Sequence, residues 1–82
     1  MAAPLAEITA IVRDMMHDSD LDLSAATHFD DLADWDEMDL VTVVVEAECR
    51  FDVRMELPEI DRLVTIGDLI HMIEVKQAQA MA

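Results

Sequence analysis

The chain has 82 residues, and 54% of them are hydrophobic. This length supports one domain with a small core, and the hydrophobic fraction argues against intrinsic disorder. The 19 acidic residues against 5 basic ones give a formal charge of −14, which opposes binding to nucleic acid or anionic lipid and favours partners with basic surfaces.

The first predicted helix covers about 4–17. Pro4 suits a first helical position, and apolar residues recur at spacings of three and four as far as Met15. Residues 18–34 mix acidic and small polar residues, which indicates a long loop. A loop of this length must pack on the core. Four apolar residues are its expected anchors: Leu21, Leu23, Phe29 and Leu32.

The second helix competes with a strand in the sequence, because the stretch 41–45 is rich in β-branched valine. The flanking residues favour a helix. Asp36 can cap it, and Glu37 and Asp39 place negative charge at its positive end. Helical spacing then predicts a mostly apolar stripe made of Met38, Val41, Val44 or Val45, Glu48 and Phe51.

Two further helices complete the prediction. Pro58 begins a single-turn third helix over 58–63. Thr65 with Asp68 resembles a capping box, in an aspartate variant, and predicts the start of the fourth helix. Its expected core face is Ile66, Leu69, Ile70 and Ile73. We expect a frayed tail over 77–82. The fold class predicted is therefore all-α, a bundle of three longer helices and one short helix, in a single domain over 1–82.

Four segments, spread in order over about fifty residues, carry a family resemblance. They are Phe29-Asp30-Asp31-Leu32, Glu46-Ala47-Glu48-Cys49-Arg50-Phe51-Asp52-Val53, Leu57-Pro58-Glu59 and Thr65-Ile66-Gly67-Asp68-Leu69-Ile70. In that order they resemble the Phe-x-Asp-Leu, Glu-Glu-x-Phe-x-Val, Ile-Pro-Asp/Glu and Thr-Val-Gly-Asp-Leu-Val segments of the acyl carrier protein family. The resemblance implies the bundle of that family and a carrier, not an enzyme, in fatty acid, polyketide or related acyl metabolism.

The modification site of that family is also recognisable, without its serine. The segment Trp35-Asp36-Glu37-Met38 resembles Trp-Asp-Ser-Met/Leu, in which the serine hydroxyl carries 4'-phosphopantetheine. Glu37 occupies the serine position. A carboxylate cannot serve as the hydroxyl nucleophile that attacks coenzyme A. We therefore expect no cofactor on the chain as written, and 4'-phosphopantetheine if position 37 were serine. Ser19, Ser24 and Thr42 offer no replacement hydroxyl in the right context.

The resemblance further implies a docking surface on the second helix. By matched position, the residues that face a partner are Asp36, Met38, Asp39, Thr42, Val45 and Glu48. The partners implied are basic surfaces of carrier-dependent enzymes: ketosynthase, acyltransferase and phosphopantetheinyl transferase. Thr42 and Cys49 stand where acids are frequent in the family. An acidic face that only keeps the protein soluble is the alternative.

Two hypotheses about function follow from Glu37. In the first, the chain is a carrier protein whose serine has been replaced. In the second, it is a natural pseudo-carrier, a non-catalytic interaction module that kept the docking helix and lost the arm.

The sequence predicts no metal site. The segment Asp18-Ser19-Asp20-Leu21-Asp22 has the alternating acids of a calcium loop, but Leu23 and Phe29 stand where an EF-hand needs Gly and a bidentate Glu. His17, His28, His71 and Cys49 lack metal-ligand spacing.

Nothing in the sequence indicates secretion or a membrane segment. The start, Met1-Ala2-Ala3-Pro4, has neither the basic nor the apolar region of a signal peptide, and no run reaches the ~18 apolar residues of a spanning helix. The single cysteine leaves no intramolecular disulfide, which fits a reducing compartment. We expect a cytoplasmic monomer.

Overall fold

A computed structural model describes the backbone of residues 4–81 and the side chains of residues 4–79. Four α-helices follow one another: α1 (Pro4–Met16), α2 (Glu37–Phe51), α3 (Leu57–Ile60) and α4 (Ile66–Met81). A 3₁₀ turn, Phe29–Asp31, interrupts the loop between α1 and α2. Three longer helices and one short helix confirm the predicted all-α class.

The three longer helices bury one face each in a shared core. The side chains that are at most 3% exposed on these helices are Ile8, Ile11, Val12, Val43, Val44, Ala47, Ile66, Leu69 and Ile73. Full burial of an aliphatic side chain of this size stabilises the fold by about 1.5–3 kcal/mol. The valine-rich stretch is helical, and its two buried residues, Val43 and Val44, pack in the core that α2 shares with α1 and α4.

The long loop packs on the bundle as predicted. Its anchors are buried or half-buried: Leu21, Leu23, Phe29 and Leu32. Backbone hydrogen bonds also tie the loop to the start of α4, since Ile66 N donates to Thr27 O and Gly67 N donates to Ala25 O, each at 2.8 Å. Gly67 permits this approach, because a Cβ there would lie 2.8 Å from Ala25 O.

The fourth helix begins at the predicted capping box. Thr65 Oγ1 accepts from Asp68 N at 3.1 Å, and Asp68 Oδ2 accepts from Thr65 N at 3.0 Å. The same carboxylate oxygen accepts from Val64 N at 3.0 Å. These backbone hydrogen bonds, first that from Thr65, hold the pKa of Asp68 below its usual value.

The predicted bounds of α3 were wrong. The helix covers Leu57–Ile60 and not 58–63. Glu56 caps it, and Glu59 Oε1 accepts from Glu56 N at 2.8 Å, so that the helix begins one residue before Pro58. After Ile60 the chain continues in turns.

The described backbone over the predicted tail is helical. Helix α4 continues through Met81, because the stretch from Gln77 contains only alanine, glutamine and methionine, which favour helix, and no Gly or Pro. Residue 82 lies outside the described residues. At the other end of the chain, α1 ends at Met16, and His17 takes a left-handed φ of 54°.

Candidate site at the start of the second helix

Helix α2 begins at a reciprocal cap made of two aspartates. Asp36 Oδ1 accepts from Asp39 N, and Asp39 Oδ2 accepts from Asp36 N, each at 3.0 Å. The cap satisfies two backbone amides at the helix start. Asp36 was predicted as the cap, which is confirmed. The sequence analysis missed the second half of the cap, although an acid three residues after Asp36 is its signal.

Glu37 is the first residue of α2 and is exposed. Its carboxylate lies at the positive end of the helix, where an acid typically contributes about 0.3–1 kcal/mol. No serine or threonine occurs between 28 and 41. The hydroxyl of Thr42 donates to Met38 O at 2.9 Å, and that of Ser24 shares a hydrogen bond with Thr27 Oγ1 at 3.3 Å.

The outward face of α2 is mostly uncharged along its middle. At about 100° per residue, the exposed residues Met38, Thr42, Val45 and Cys49 lie within a narrow arc opposite the buried side. Met38 is 67% exposed and Val45 is 49% exposed. Of the predicted apolar stripe, Val44 and Phe51 pack in the core, whereas Met38 lies on the outward face. The side of α2 that packs on the core contains Leu40, Val43, Val44, Ala47 and Phe51.

Four of the six predicted docking residues form hydrogen bonds within the chain. The carboxylates of Asp36 and Asp39 form the cap, Thr42 bonds to the preceding turn, and Glu48 Oε2 accepts from Met55 N at 3.0 Å. The hydrogen bond that Glu48 accepts connects α2 to the segment before α3. The remaining two residues, Met38 and Val45, expose apolar side chains. A substitution that removes the charge of Asp36, Asp39 or Glu48 would therefore also remove a hydrogen bond within the fold.

A cleft of about 230 Å³ opens beside the start of α2. It is lined by Phe29, Asp30, Trp35, Asp36, Glu37, Leu40, Leu63 and Val64. The Phe29 and Trp35 rings stack with centroids 5.5 Å apart and planes 18° apart. Phe29 N donates to Val64 O at 3.0 Å, which fixes the two walls relative to each other. The sequence analysis did not predict this cleft.

The described residues contain neither a metal-binding cluster nor a membrane-spanning helix. No group of three or more His, Cys, Asp or Glu side chains in 4–79 is arranged to hold a metal ion. None of the helices within 4–81 combines the length and the apolar character needed to cross a membrane.

The site therefore consists of a helix with an acidic cap, preceded by a long packed loop in a four-helix bundle. The family model described as "Phosphopantetheine attachment site" matches residues 6–73. The chain therefore belongs to the phosphopantetheine attachment site family. Members of this family are carriers rather than enzymes, and this chain is a carrier-type domain.

A solved structure supports the same assignment. The solution NMR structure of the holo acyl carrier protein from Geobacter metallireducens is similar to this chain with a TM-score of 0.83 and 25% sequence identity. The match covers 98% of this chain and 92% of that protein. Acyl carrier proteins interact with enzymes of acyl metabolism.

Proposed function

We propose that this chain is an acyl-carrier-type protein that docks with carrier-dependent enzymes and cannot hold the phosphopantetheine arm. The observation that carries the proposal is Glu37 at the first position of α2, directly after the Asp36 cap. By resemblance this is the serine position. A carboxylate on phosphorus gives an acyl phosphate, which hydrolyses far more readily than the phosphate ester of serine. The residues present do not fit the arm.

The neighbouring hydroxyls do not compensate for the missing serine. Thr42 lies five residues after Glu37, roughly 140° around the helix, and its hydroxyl bonds to Met38 O. Ser24 lies in the loop and is paired with Thr27. Neither hydroxyl follows a helix cap as Glu37 does.

Loading tests this part of the proposal. Incubated with coenzyme A and a broad-specificity phosphopantetheinyl transferase, the chain should show no change in intact mass, whereas Glu37→Ser should gain the mass of one arm. Glu37→Gln is the matched control, since it removes the same charge without adding a hydroxyl. An arm on the unaltered chain, or no arm on Glu37→Ser, would contradict the assignment of Glu37 to the serine position of the family.

The docking part of the proposal is supported by the outward face of α2. Exposed Met38 and Val45 offer apolar contacts, and Glu46 lies beside them, exposed and with no side-chain hydrogen bond within the described residues. A partner with basic groups around an apolar patch fits this face, as expected for a ketosynthase, an acyltransferase or a phosphopantetheinyl transferase of fatty acid, polyketide or related acyl metabolism. Docking through this face is expected both for a carrier whose serine has been replaced and for a natural pseudo-carrier. The codon for residue 37 in genomic DNA distinguishes the two hypotheses, because a glutamate codon there would show that Glu37 is natural.

Docking is best tested at residues that have no structural hydrogen bond. Asp39→Lys and Glu48→Lys would also break the cap and the bond to Met55. We instead compare Glu46→Lys with Glu74→Lys, because both acids are exposed and the second lies on α4. In a titration with a ketosynthase, Glu46→Lys should weaken binding and Glu74→Lys should not, and added salt should weaken binding by the unaltered chain.

Matched apolar variants test the middle of the face. Val45→Ser should weaken binding, and Val75→Ser on α4, whose valine is 37% exposed, should not. Equal binding by all these variants, or binding by none at low salt, would leave α2 as a solvated acidic face.

We also propose that the protein acts as a cytoplasmic monomer. Its charge of −14 opposes association with a second copy, with nucleic acid and with anionic membranes. The exposed free thiol of Cys49 suits a reducing compartment.

A further inference from the structure

We propose that residues 54–64, which we call the strap, form a unit that opens independently of the bundle and that the charge of Lys76 holds closed. The strap contains α3 and the irregular segments on either side of it. Three features carry the inference: the small buried surface of the strap, the ion pair between Glu59 and Lys76, and the second bond that the Glu59 carboxylate makes. Opening of the strap requires neither loading nor docking.

Helix α3 is too short to hold itself in place. It has four residues, and a helix of one turn is unstable in isolation, because its few hydrogen bonds do not offset the cost of ordering the backbone. The buried side chains of the strap are Met55, Ile60 and Leu63, and all its other residues except Glu59 are exposed. Contacts with α2 and α4 therefore decide whether the strap stays closed.

An ion pair fastens the strap to α4. Lys76 Nζ lies 2.9 Å from Glu59 Oε1 and 2.8 Å from Glu59 Oε2, and the two side chains are 22% and 28% exposed. The Arg50–Glu7 pair between α2 and α1 has a similar length of 2.9 Å, but its side chains are 41% and 31% exposed. Since water screens exposed charges, the Lys76–Glu59 pair is the stronger of the two.

The carboxylate of Glu59 also takes part in the start of α3. Its Oε1 accepts from Glu56 N at 2.8 Å, and the same oxygen accepts from Lys76 Nζ. The hydrogen bond from Glu56, and then that from Lys76, hold the pKa of Glu59 below its usual value. The carboxylate is therefore ionised at neutral pH. Without the charge of Lys76, Glu59 keeps its bond within the strap and loses its bond to α4.

Opening of the strap reaches α2 as well. At the beginning of the strap, Met55 N donates to Glu48 Oε2 on α2 at 3.0 Å. Opening breaks this hydrogen bond and exposes Ile60 and Leu63 to water. A change of charge on α4 is thereby transmitted through the strap to Glu48.

Amide hydrogen exchange of the full chain, followed by NMR in increasing urea, tests the strap directly. The reporters are the amides of Ile60 and Asp61, which are hydrogen-bonded within the strap, and that of Val44 in the core. Relative to intrinsic rates, the strap amides should exchange at least about tenfold faster than Val44. Their exchange should also depend more weakly on urea, because opening of the strap exposes less surface than global unfolding.

Variants identify the contact that holds the strap, because a lost contact speeds exchange only through openings that break it. Lys76→Gln should speed exchange of the strap amides by about fivefold or more, and Lys76→Arg, which keeps the charge, should stay within about twofold of the unaltered chain. Arg50→Gln removes the same charge from the pair between α2 and α1, and Ala10→Gly weakens α1. Both should leave the strap amides within about twofold, whereas Ala10→Gly should speed Val44 by about two- to fivefold.

Three results would overturn the inference. Equal protection and equal urea dependence of strap and core amides would mean that the strap opens only with the whole domain. Unchanged strap rates in Lys76→Gln would mean that the ion pair does not hold the strap. Equal rates in Lys76→Arg and Lys76→Gln would mean that charge is not the cause. Circular dichroism establishes that each variant is folded, and the urea dependence of the unaltered chain tests the strap without any variant.

Discussion

Replacing Gly67 with alanine should destabilise the fold, although alanine is the better helix former. An added Cβ would lie 2.8 Å from Ala25 O and 3.2 Å from Ala25 Cβ. The nearer atom belongs to the backbone of the loop, so it cannot move aside as the end of a flexible side chain would. The loop itself would have to shift, and this loop carries Phe29 and Trp35 to the cleft.

Two opposing effects set the magnitude of this change. Helix propensity favours alanine over glycine by about 0.5–1 kcal/mol. Forcing atoms into a packed site costs about 1–3 kcal/mol. A shift of the loop would also weaken the hydrogen bonds from Gly67 N to Ala25 O and from Ile66 N to Thr27 O, each of which contributes about 0.5–1.5 kcal/mol in the unaltered chain. The steric effect is larger. We expect the free energy of unfolding to fall by about 1–3 kcal/mol, at about 4–8 °C of Tm per kcal/mol for a domain of this size.

Far-UV circular dichroism with heat and with urea measures this loss. Ala10→Gly, at an exposed position in α1, is the control for helix propensity and should cost about 0.5–1 kcal/mol. A Tm for Gly67→Ala equal to or above that of the unaltered chain would refute the reasoning, because propensity alone would then decide the outcome.

Three further predictions concern charge and backbone conformation. Asp52 caps the end of α2 with a left-handed φ of 54°, and its charge opposes the negative end of the helix. Asp52→Gly should therefore raise the free energy of unfolding by about 0.5–1 kcal/mol in urea, and a decrease would contradict this account. The pKa of Asp68 is lowered by the backbone amides of Thr65 and then Val64. Its contribution to stability is present above the ordinary carboxylate pKa and is lost as pH falls through the lowered pKa. Asp68→Asn should flatten the acid side of the Tm–pH curve, and an unchanged curve would argue against the capping box. Added salt, or millimolar magnesium or calcium, should raise the Tm because 19 acidic residues face 5 basic ones. Saturation of a single site by micromolar calcium, with no competition by magnesium, would indicate a true calcium loop instead.

Local patterns in the sequence were sufficient to predict much of the fold. The caps at Asp36 and Thr65 depend on residues three apart, so the residue types alone indicate them. The valine-rich stretch was ambiguous by composition, and the acidic residues before it correctly favoured a helix. The extent of α4 follows from composition as well, since the stretch from Gln77 contains only residues that favour helix.

Contacts between distant residues could not be predicted in the same way. The hydrogen bond from Met55 N to Glu48 and the approach of Gly67 to Ala25 depend on how elements pack. The cleft likewise requires Trp35 to face residues near Val64, and no periodicity connects those positions. The docking residues were assigned by matched position, and nothing at that position indicates that Glu48 accepts a hydrogen bond from Met55.

The central claim is that the chain is recognised as a carrier yet cannot be loaded. One competition experiment tests both halves. A fixed amount of Glu37→Ser is incubated with coenzyme A and a phosphopantetheinyl transferase at low salt, with increasing amounts of the unaltered chain, and intact mass is followed over time. The account predicts that only Glu37→Ser gains an arm and that its loading slows as the unaltered chain is added. An arm on the unaltered chain, or a loading rate that its addition leaves unchanged, would contradict the claim.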